Sequence, residues 1–421
     1  MAYTAGSSKD AGNLIANRRT HSRIGEGLAE LYPSEKPFLT FLTKMSKLPT
    51  SDPEPIKFYH VSGWADRRFY AGGAGTWSSG SVDNVAVELT KGGSDDVGYL
   101  VENLVVRIKH IGGGDDDIAI IDTVDSQQQI DLTGISGTLT NIADGDMIQV
   151  IGTAFARGSD KASPTYDTVS TEQTYTQIFK TLVDVTNTLR ATESFAVQDE
   201  YKRLLQDKMK EHAVDVERAL LFGEVGAASG ATTVNSNSVY SFAGIVTWIE
   251  TNSSSSTIHT PSLASYTYDD FIDDMEEYYT QAGDKGTDEK LCLAGSSVIG
   301  FFSKVGSNKM WADFTVNVEH GSMFGIDVTR VNHPFGTLNL VHEPLFRGSY
   351  ASNEEFYRRY MVCVDLQNAF YRPLQGNGVD RDTFVEYDLP STEDKVMDQI
   401  VTEAAGHWVL PQSHALFKFS A

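Results

Sequence analysis

The sequence predicts an α+β protein with several strand-rich parts, and three observations predict it. One long amphipathic helix pattern runs from Thr192 to Gly223. A series of short strands between turns fills Val82 to about Gly152. Beyond residue 223, helix patterns alternate with buried and terminal strands.

In chain order, Met1 to about Ser51 is a polar start followed by LAELYPSEKPFLTFLTKMSKLP. Pro33 and Pro37 interrupt any long helix there, so Leu28, Leu31, Phe38, Leu39, Phe41, Leu42 and Met45 belong to an extended arm with short helices. Such residues cannot be satisfied within the arm and imply a partner surface, an adjacent domain or an adjacent copy. Arg18, Arg19 and Arg23 are the one locally basic spot, better suited to an acidic neighbour than to nucleic acid.

PIKFYHVSGWADRRF, Pro55 to Phe69, has the β-branched and aromatic content of a strand, and the glycine-serine tract AGGAGTWSSGS after it reads as a flexible tip or linker. VAVEL, ENLVVRIKHI, DIAIIDTV, QIDL and DMIQVIG then read as strands of a small inserted β subdomain. Ser159 to Thr174 is an extended polar return, and QIFKTLVDVTNTLRA leads into the long helix.

That helix carries Val197, Tyr201, Leu204, Leu205, Met209, Ala213, Val216 and Leu220 at helical spacing. Thr192 or Ser194 caps it, Gly223 stops it, and Asp199/Lys202, Glu200/Arg203, Asp207/Lys210 and Asp215/Arg218 brace its outer face. At 1.5 Å per residue, roughly 28 residues make a rod of about 42 Å, a spine rather than a catalytic element. Glu224 to Asn237 reads as a mobile loop and Phe242 to Ile249 as an apolar stretch. Tyr268 to Ala282 reads as a helix with Phe271, Met275 and Tyr278 or Tyr279 on one face. KLCLAG is a buried strand and Ser296 to Val305 a helix. GIDVTRVNHP, TLNLVHE, YMVCVDL, AFYRPL, TFVEYDL and the C-terminal AGHWVLPQSHALFKF complete a mixed sheet.

Composition excludes several classes. With 57 acidic and 34 basic side chains the formal net charge is −23, which repels nucleic acid and anionic membranes. Only Cys292 and Cys363 are present, so no disulfide framework or cysteine metal site is supported. Both read as reduced, buried small residues in a protein synthesised in a cytoplasm. No apolar run approaches the roughly 20 residues that span a bilayer, and MAYTAGSSKDAGNL lacks a signal-peptide pattern.

The chemistry-bearing motifs are weak. No Gly-Lys pair exists, which excludes a P-loop, and Gly72-Gly73-Ala74-Gly75 opens no helix. His342-Glu343 lacks a second histidine and meets Pro344. Ser296 and Ser297 read as helix caps, not nucleophiles, and Asp115-Asp116-Asp117 lacks the spacing of a calcium loop. His212 on the spine reads as a packed or hydrogen-bonding histidine. No catalytic, cofactor or metal site is expected, and an enzyme is the last reading.

Several segments, in order, resemble a tailed-phage major capsid protein, of the fold shared with encapsulins and herpesvirus capsid floors. They are LYPSEKPFLTFLTKMSKLPT, IKFYHVSGW, DGDMIQVIGTAFARGSDKASP, YTQIFKTLVDVTNTLRAT, KEHAVDVERALLFGE and SFAGIVTWIETN. The resemblance implies an N-terminal arm (1–52) along a neighbour and an elongated loop (53–175) carrying the β insertion (82–152). It implies a peripheral domain (176–261) with the spine helix 193–222, an axial domain (262–385), and C-terminal strands (386–421) returning to the peripheral domain. It further implies an icosahedral head shell of hexamers and pentamers of this chain around double-stranded DNA, located in the virion. Implied partners are a separate scaffolding protein, because the start is too short for a built-in one, a portal protein and a decoration protein. Packaged DNA would lie against an acidic wall without specific contacts. An encapsulin-like compartment shell, or a tail or decoration protein, is the alternative.

Overall fold

The computed structural model describes residues 36–420 apart from 52–55, 61–66, 74–75, 79–80, 89–96, 114, 136–138, 141, 160, 165–169, 192–199, 227–230, 235–236, 254–256, 283–285, 310–317, 324–325, 347–356 and 391. These residues divide into two compact units. One comprises the chain up to Phe58 and from Gln173 onward, and the other Tyr59–Glu172.

The first unit opens with α1 (Pro37–Met45). Proline suits the first helical position, where its fixed φ helps and its missing N–H costs nothing. Phe38, Phe41 and Leu42, at helical spacing, are buried in the core of their own unit. This part of the arm therefore lies on its own chain. Past the helix, Lys47 and Thr50 bridge to Tyr371 and Leu374. β1 (Ile56–His60) follows.

The second unit contains β2 (Arg68–Ala71), β3 (Thr76–Ser78), β4 (Ser81–Glu88), β5 (Leu104–Lys109), β6 (Asp117–Ser126), β7 (Gln129–Gly134) and β8 (Met147–Thr153). The strand order is β2-β8-β5-β6-β7-β4-β3, and β2 also pairs with β4. Six antiparallel strands thus close into a small barrel, with β3 extending β4. Closure removes exposed sheet edges, and the interior is filled by side chains, among them Phe69, Val82, Val106, Ile108, Ile121, Ile130, Leu132 and Ile148. All five strands expected from 82 to 152 form. Two expectations are corrected. Pro55 to Phe69 contributes two strands, β1 and the start of β2, and the glycine-serine tract contains β3. Closing the barrel recruits β2 from before residue 82, which alternation within a segment does not reveal.

The chain returns to the first unit within β9 (Ser170–Thr174), which pairs with β1, and continues with β10 (Gln177–Thr186). A single turn, α2 (Asn187–Arg190), follows, and then α3 (Glu200–Phe222), the described part of the spine. Its 23 residues span about 34 Å at 1.5 Å per residue. The stretch 192–199, with Val197, Asp199 and the expected caps, lies outside the described residues. Of the expected stripe only Val216 and Leu220, toward the C-terminal end, are buried, joined there by Val214 and Leu221, which the stripe did not include, while Met209 is 42% exposed. Gly223 ends the helix as expected, because a Cβ there would sit 2.6 Å from the Ala219 carbonyl oxygen and 2.7 Å from that of Phe242.

Next come β11 (Ala231–Val234), β12 (Asn237–Tyr240), α4 (Ile245–Asn252), β13 (Ile258–His259), α5 (Tyr268–Ala282), β14 (Glu289–Ala294) and α6 (Ser296–Lys309). The expected mobile loop after the spine instead holds β11, paired with β12 as a hairpin. The chain closes with β15 (Val318–Met323), β16 (Ile326–His333), β17 (Gly336–His342), β18 (Tyr360–Val364), β19 (Ala369–Pro373), β20 (Gln375–Gly376), β21 (Val379–Asp380), β22 (Phe384–Glu386), β23 (Lys395–Trp408) and β24 (Ala415–Lys418).

Where one mixed sheet is expected, these strands form two sheets. A seven-stranded mixed sheet has the order β13-β24-β18-β14-β17-β16-β15, and an antiparallel sheet runs β10-β23-β19 with β22 also on β23. The last strand, β24, therefore joins β18 rather than β23. The seven-stranded sheet is buried on both faces. Leu291, Leu293, Val362 and Val364 enter one core with α1, α3 and α4, while Cys292, Ala294, Met361 and Cys363 enter the other with α5 and α6. That is why KLCLAG reads as continuously apolar rather than alternating.

Candidate assembly site

The element that joins arm to spine is built from one buried acid. Pro37 has no N–H to place, and the Thr40 N–H bonds the Lys36 carbonyl, which leaves the Phe38 and Leu39 amides of the first turn of α1. Both donate to the Glu217 carboxylate of α3, Phe38 to Oε1 at 3.0 Å and Leu39 to Oε2 at 3.1 Å. Lys36, the N-cap, offers no side-chain acceptor, so Glu217 acts as a cap 179 residues away in sequence. A negative carboxylate also complements the positive end of the helix dipole.

Glu217 does not stand alone. Glu343, just past β17, couples to it, and both side chains are fully buried. Glu343 Oε1 accepts the Leu345 N–H at 3.0 Å, while Oε2 has no hydrogen-bond partner among the described residues. Burial first, and the Glu217 charge second, push the Glu343 carboxyl up to about 9. Burial raises Glu217 to about 7 against the opposing Leu39 and Phe38 amides, Glu343 and the Lys36 charge. At neutral pH the pair therefore retains at least one proton.

One turn earlier on α3, His212 is fixed between two hydroxyls, Nδ1 to Thr181 Oγ1 at 2.9 Å and Nε2 to Thr402 Oγ1 at 2.8 Å, and burial lowers its pKa. It ties the spine to β10 and β23, the structural role expected of it. In the seven-stranded sheet the fully buried Lys290 ammonium meets Asp365 Oδ2 at 2.7 Å, and the Thr287 and Gln367 amides complete that carboxylate's shell. In the barrel, His110 bridges Asp146, 2.8 Å from Nδ1, and Asp117, 3.2 Å from Nε2.

A family model for the SU10 major capsid protein matches residues 15–418. The chain belongs to this family. It is 26% identical over 284 residues to the major capsid protein of Pseudomonas phage PaMx41, an alignment covering 65% of this chain and 66% of that one, just under two thirds of its length. Among solved structures it is similar to a chain of Microbacterium phage Oxtober96 (TM-score 0.46, 9% identity, 98% of this chain and 100% of that one). A capsid chain of an empty GTA particle gives TM-score 0.42 and 10% identity, covering 99% and 100%. The SrpI encapsulin of Synechococcus elongatus PCC 7942 gives 0.40 and 11%, covering 60% and 77%. All three TM-scores lie below 0.5, so membership rests on the sequence match.

The residues of the candidate motifs make the following contacts among the described residues. Asp116 pairs with Arg107 and Asp117 with His110, so the acidic run divides into ion pairs. Gly72 donates to the Ala86 carbonyl, extending the pairing of β2 with β4. Ser296 is the first residue of α6 rather than its cap, because the Gly295 carbonyl accepts the Val298 and Ile299 amides. Gly295 cannot carry a side chain, since a Cβ would collide with the Arg358 carbonyl. Glu343, dismissed with His342 as half of a metal motif, is the buried acid. Cys292 and Cys363 are free, buried and opposite each other on β14 and β18. Arg18, Arg19 and Arg23 lie outside the described residues. Among the described residues no group of three or more His, Cys, Asp or Glu is arranged to hold a metal, and no helix is long and apolar enough to cross a membrane.

The acid pair, Lys290–Asp365 and the His110 bridge were missed by sequence reasoning. Only Glu217 left a signal. It follows Val216 and precedes Leu220 and Leu221 on the buried side of the spine, where an acid needs a partner.

Proposed function

We propose that this chain is the shell subunit of a tailed-phage head, assembling as hexamers and pentamers into an icosahedral capsid around double-stranded DNA. The family match over residues 15–418 carries the reading. A net charge of −23 suits a wall along which DNA slides during packaging without being gripped. In this reading the axial part, about 262–385, holds α5, α6 and most of the seven-stranded sheet, which β13 and β24 complete from outside those bounds, and the peripheral part, about 176–261 with the strands after 386, holds α3, β10 and β23. The barrel, within the elongated loop 53–175, is an accessory body. A separate scaffolding protein, a portal and a decoration protein are the proposed partners, and the virion is the proposed location.

Electron microscopy of the purified chain, with and without candidate scaffold, tests the reading. Closed polyhedra or hexamer and pentamer rings are expected, with DNA in particles recovered from infected cells. A dispersed monomer under every condition would sink it, and shells that hold a protein cargo instead of DNA would point to the compartment reading.

A further inference from the structure

We propose that Glu217 and Glu343 form a proton-binding site that latches the arm helix α1 onto the spine helix α3, and that removing its protons loosens the arm. The latch works within one chain and does not depend on the shell reading.

The geometry carries it. Glu217 takes both free amides of α1's first turn, and Glu343 lies against it with one carboxyl oxygen lacking any hydrogen-bond partner among the described residues. Neither side chain reaches water. A buried, unpartnered carboxylate oxygen is costly, whereas a protonated one gains a donor and loses the charge. The charged and titratable groups around the pair do not replace that proton. Lys36, ahead of α1, attracts Glu217 but is only half-buried, and burial lowers its own pKa. Lys44, at the far end of α1, is exposed. On α3, His212 lies between the Thr181 and Thr402 hydroxyls with its pKa lowered by burial, and Asp215 faces Arg218. Glu250 on α4 is paired with Lys418, Lys395 on β23 is paired with Asp184 on β10, and His342 beside Glu343 is exposed. Removing both protons thus sets two anions side by side with no buried cation between them among the described residues.

The sign is fixed by linkage. Both groups are raised above the ordinary 4.5, so the stability they contribute is complete below that value and is lost as pH rises through about 7 and then about 9. The arm is held in acid, holds with one proton near neutrality and loosens in alkali.

The test is hydrogen exchange on the full chain, reading protection of residues 36–46 corrected for the intrinsic rate, at pH 6 and pH 9.5. The barrel strands β6 and β7 serve as the internal control. Wild type is expected to lose at least about tenfold of arm protection at the higher pH, one proton shifted by a unit being a factor of ten, while the barrel keeps its own. Glu343→Gln, nearly isosteric and unable to ionise, keeps only the Glu217 titration near 7 and is expected to lose clearly less than the wild type, about tenfold at most. Infrared spectroscopy of the wild type supplies a reading that needs no variant. A carbonyl band of a buried protonated carboxylic acid is expected at pH 7 and should vanish in alkali. A flat wild-type profile, an equal loss in Glu343→Gln, or no such band at pH 7 would each overturn the latch.

Discussion

Lys290 and Asp365 show how a single buried ion pair can hold a sheet, tying β14 to the end of β18. Burial alone would raise the Asp365 carboxyl, but the Lys290 charge and hydrogen bond and the Thr287 and Gln367 amides outweigh it and hold it low. Lys290→Met should cost about 3–5 kcal/mol in denaturant unfolding, because Asp365 is left buried without its cation, whereas Lys290→Met with Asp365→Leu should cost clearly less. For His110, burial opposes protonation, yet the hydrogen bonds and charges of Asp146 and Asp117 raise its pKa above the ordinary 6.5. Its contribution is complete below 6.5 and is lost as pH rises through the raised value. The two aspartates, held below the ordinary 3.8 against burial, keep theirs above 3.8 and lose it in acid. Amide protection of the turns at 110–117 and 139–146 should therefore peak at weakly acidic pH and decline toward alkali. In His110→Gln that alkaline decline should disappear.

At the scale of elements, α1 is short, and helices of its length are marginal alone, so its stability comes from what it packs against. Phe41 is 1% exposed and Phe38 stacks on Trp408 at 5.7 Å. Phe41→Ala should cost about 3–5 kcal/mol, with arm exchange rising more than exchange in β14 or β17. The start of α6 is set by backbone approach rather than by capping chemistry. Gly295→Ala must push away the Arg358 carbonyl, so the yield of folded protein should fall sharply, while Ser296→Ala should leave the circular dichroism melt within about 0.5 kcal/mol of wild type.

For the whole molecule, the barrel has its own core, and the chain enters and leaves it at neighbouring points. The Ala71 amide bonds the Asp146 carbonyl at 2.9 Å, and the Gly145 amide bonds that of Ala71 at 2.6 Å. Replacing 72–145 with a short glycine-containing turn, and Phe69 and Ile148 with polar residues, should leave the other unit folded with an unchanged main melting transition. Electron microscopy of that variant then measures what the barrel adds to assembly. Shells of normal yield and heat resistance would assign it an accessory role, and their loss would make it an assembly element.

Much of this protein is determined by local pattern. The α5 boundaries, the five strands from 82 to 152 and the buried strand β14 follow from periodicity or turn chemistry, which act over a few residues, whereas Gly223 stops the spine where expected but is required by the close approach of the Phe242 carbonyl. Family membership was legible too, through the resemblance carried by segments such as LYPSEKPFLTFLTKMSKLPT and KEHAVDVERALLFGE, which lie within the matched residues 15–418. Tertiary structure alone decided the rest. The barrel's closure depends on β2 meeting β4, and the division of the later strands into two sheets depends on β24 choosing β18. The arm's anchor depends on an acid 179 residues away. Each is a pairing between distant segments, whose entropy of closure is offset only by the complete fold, so no window of sequence contains it.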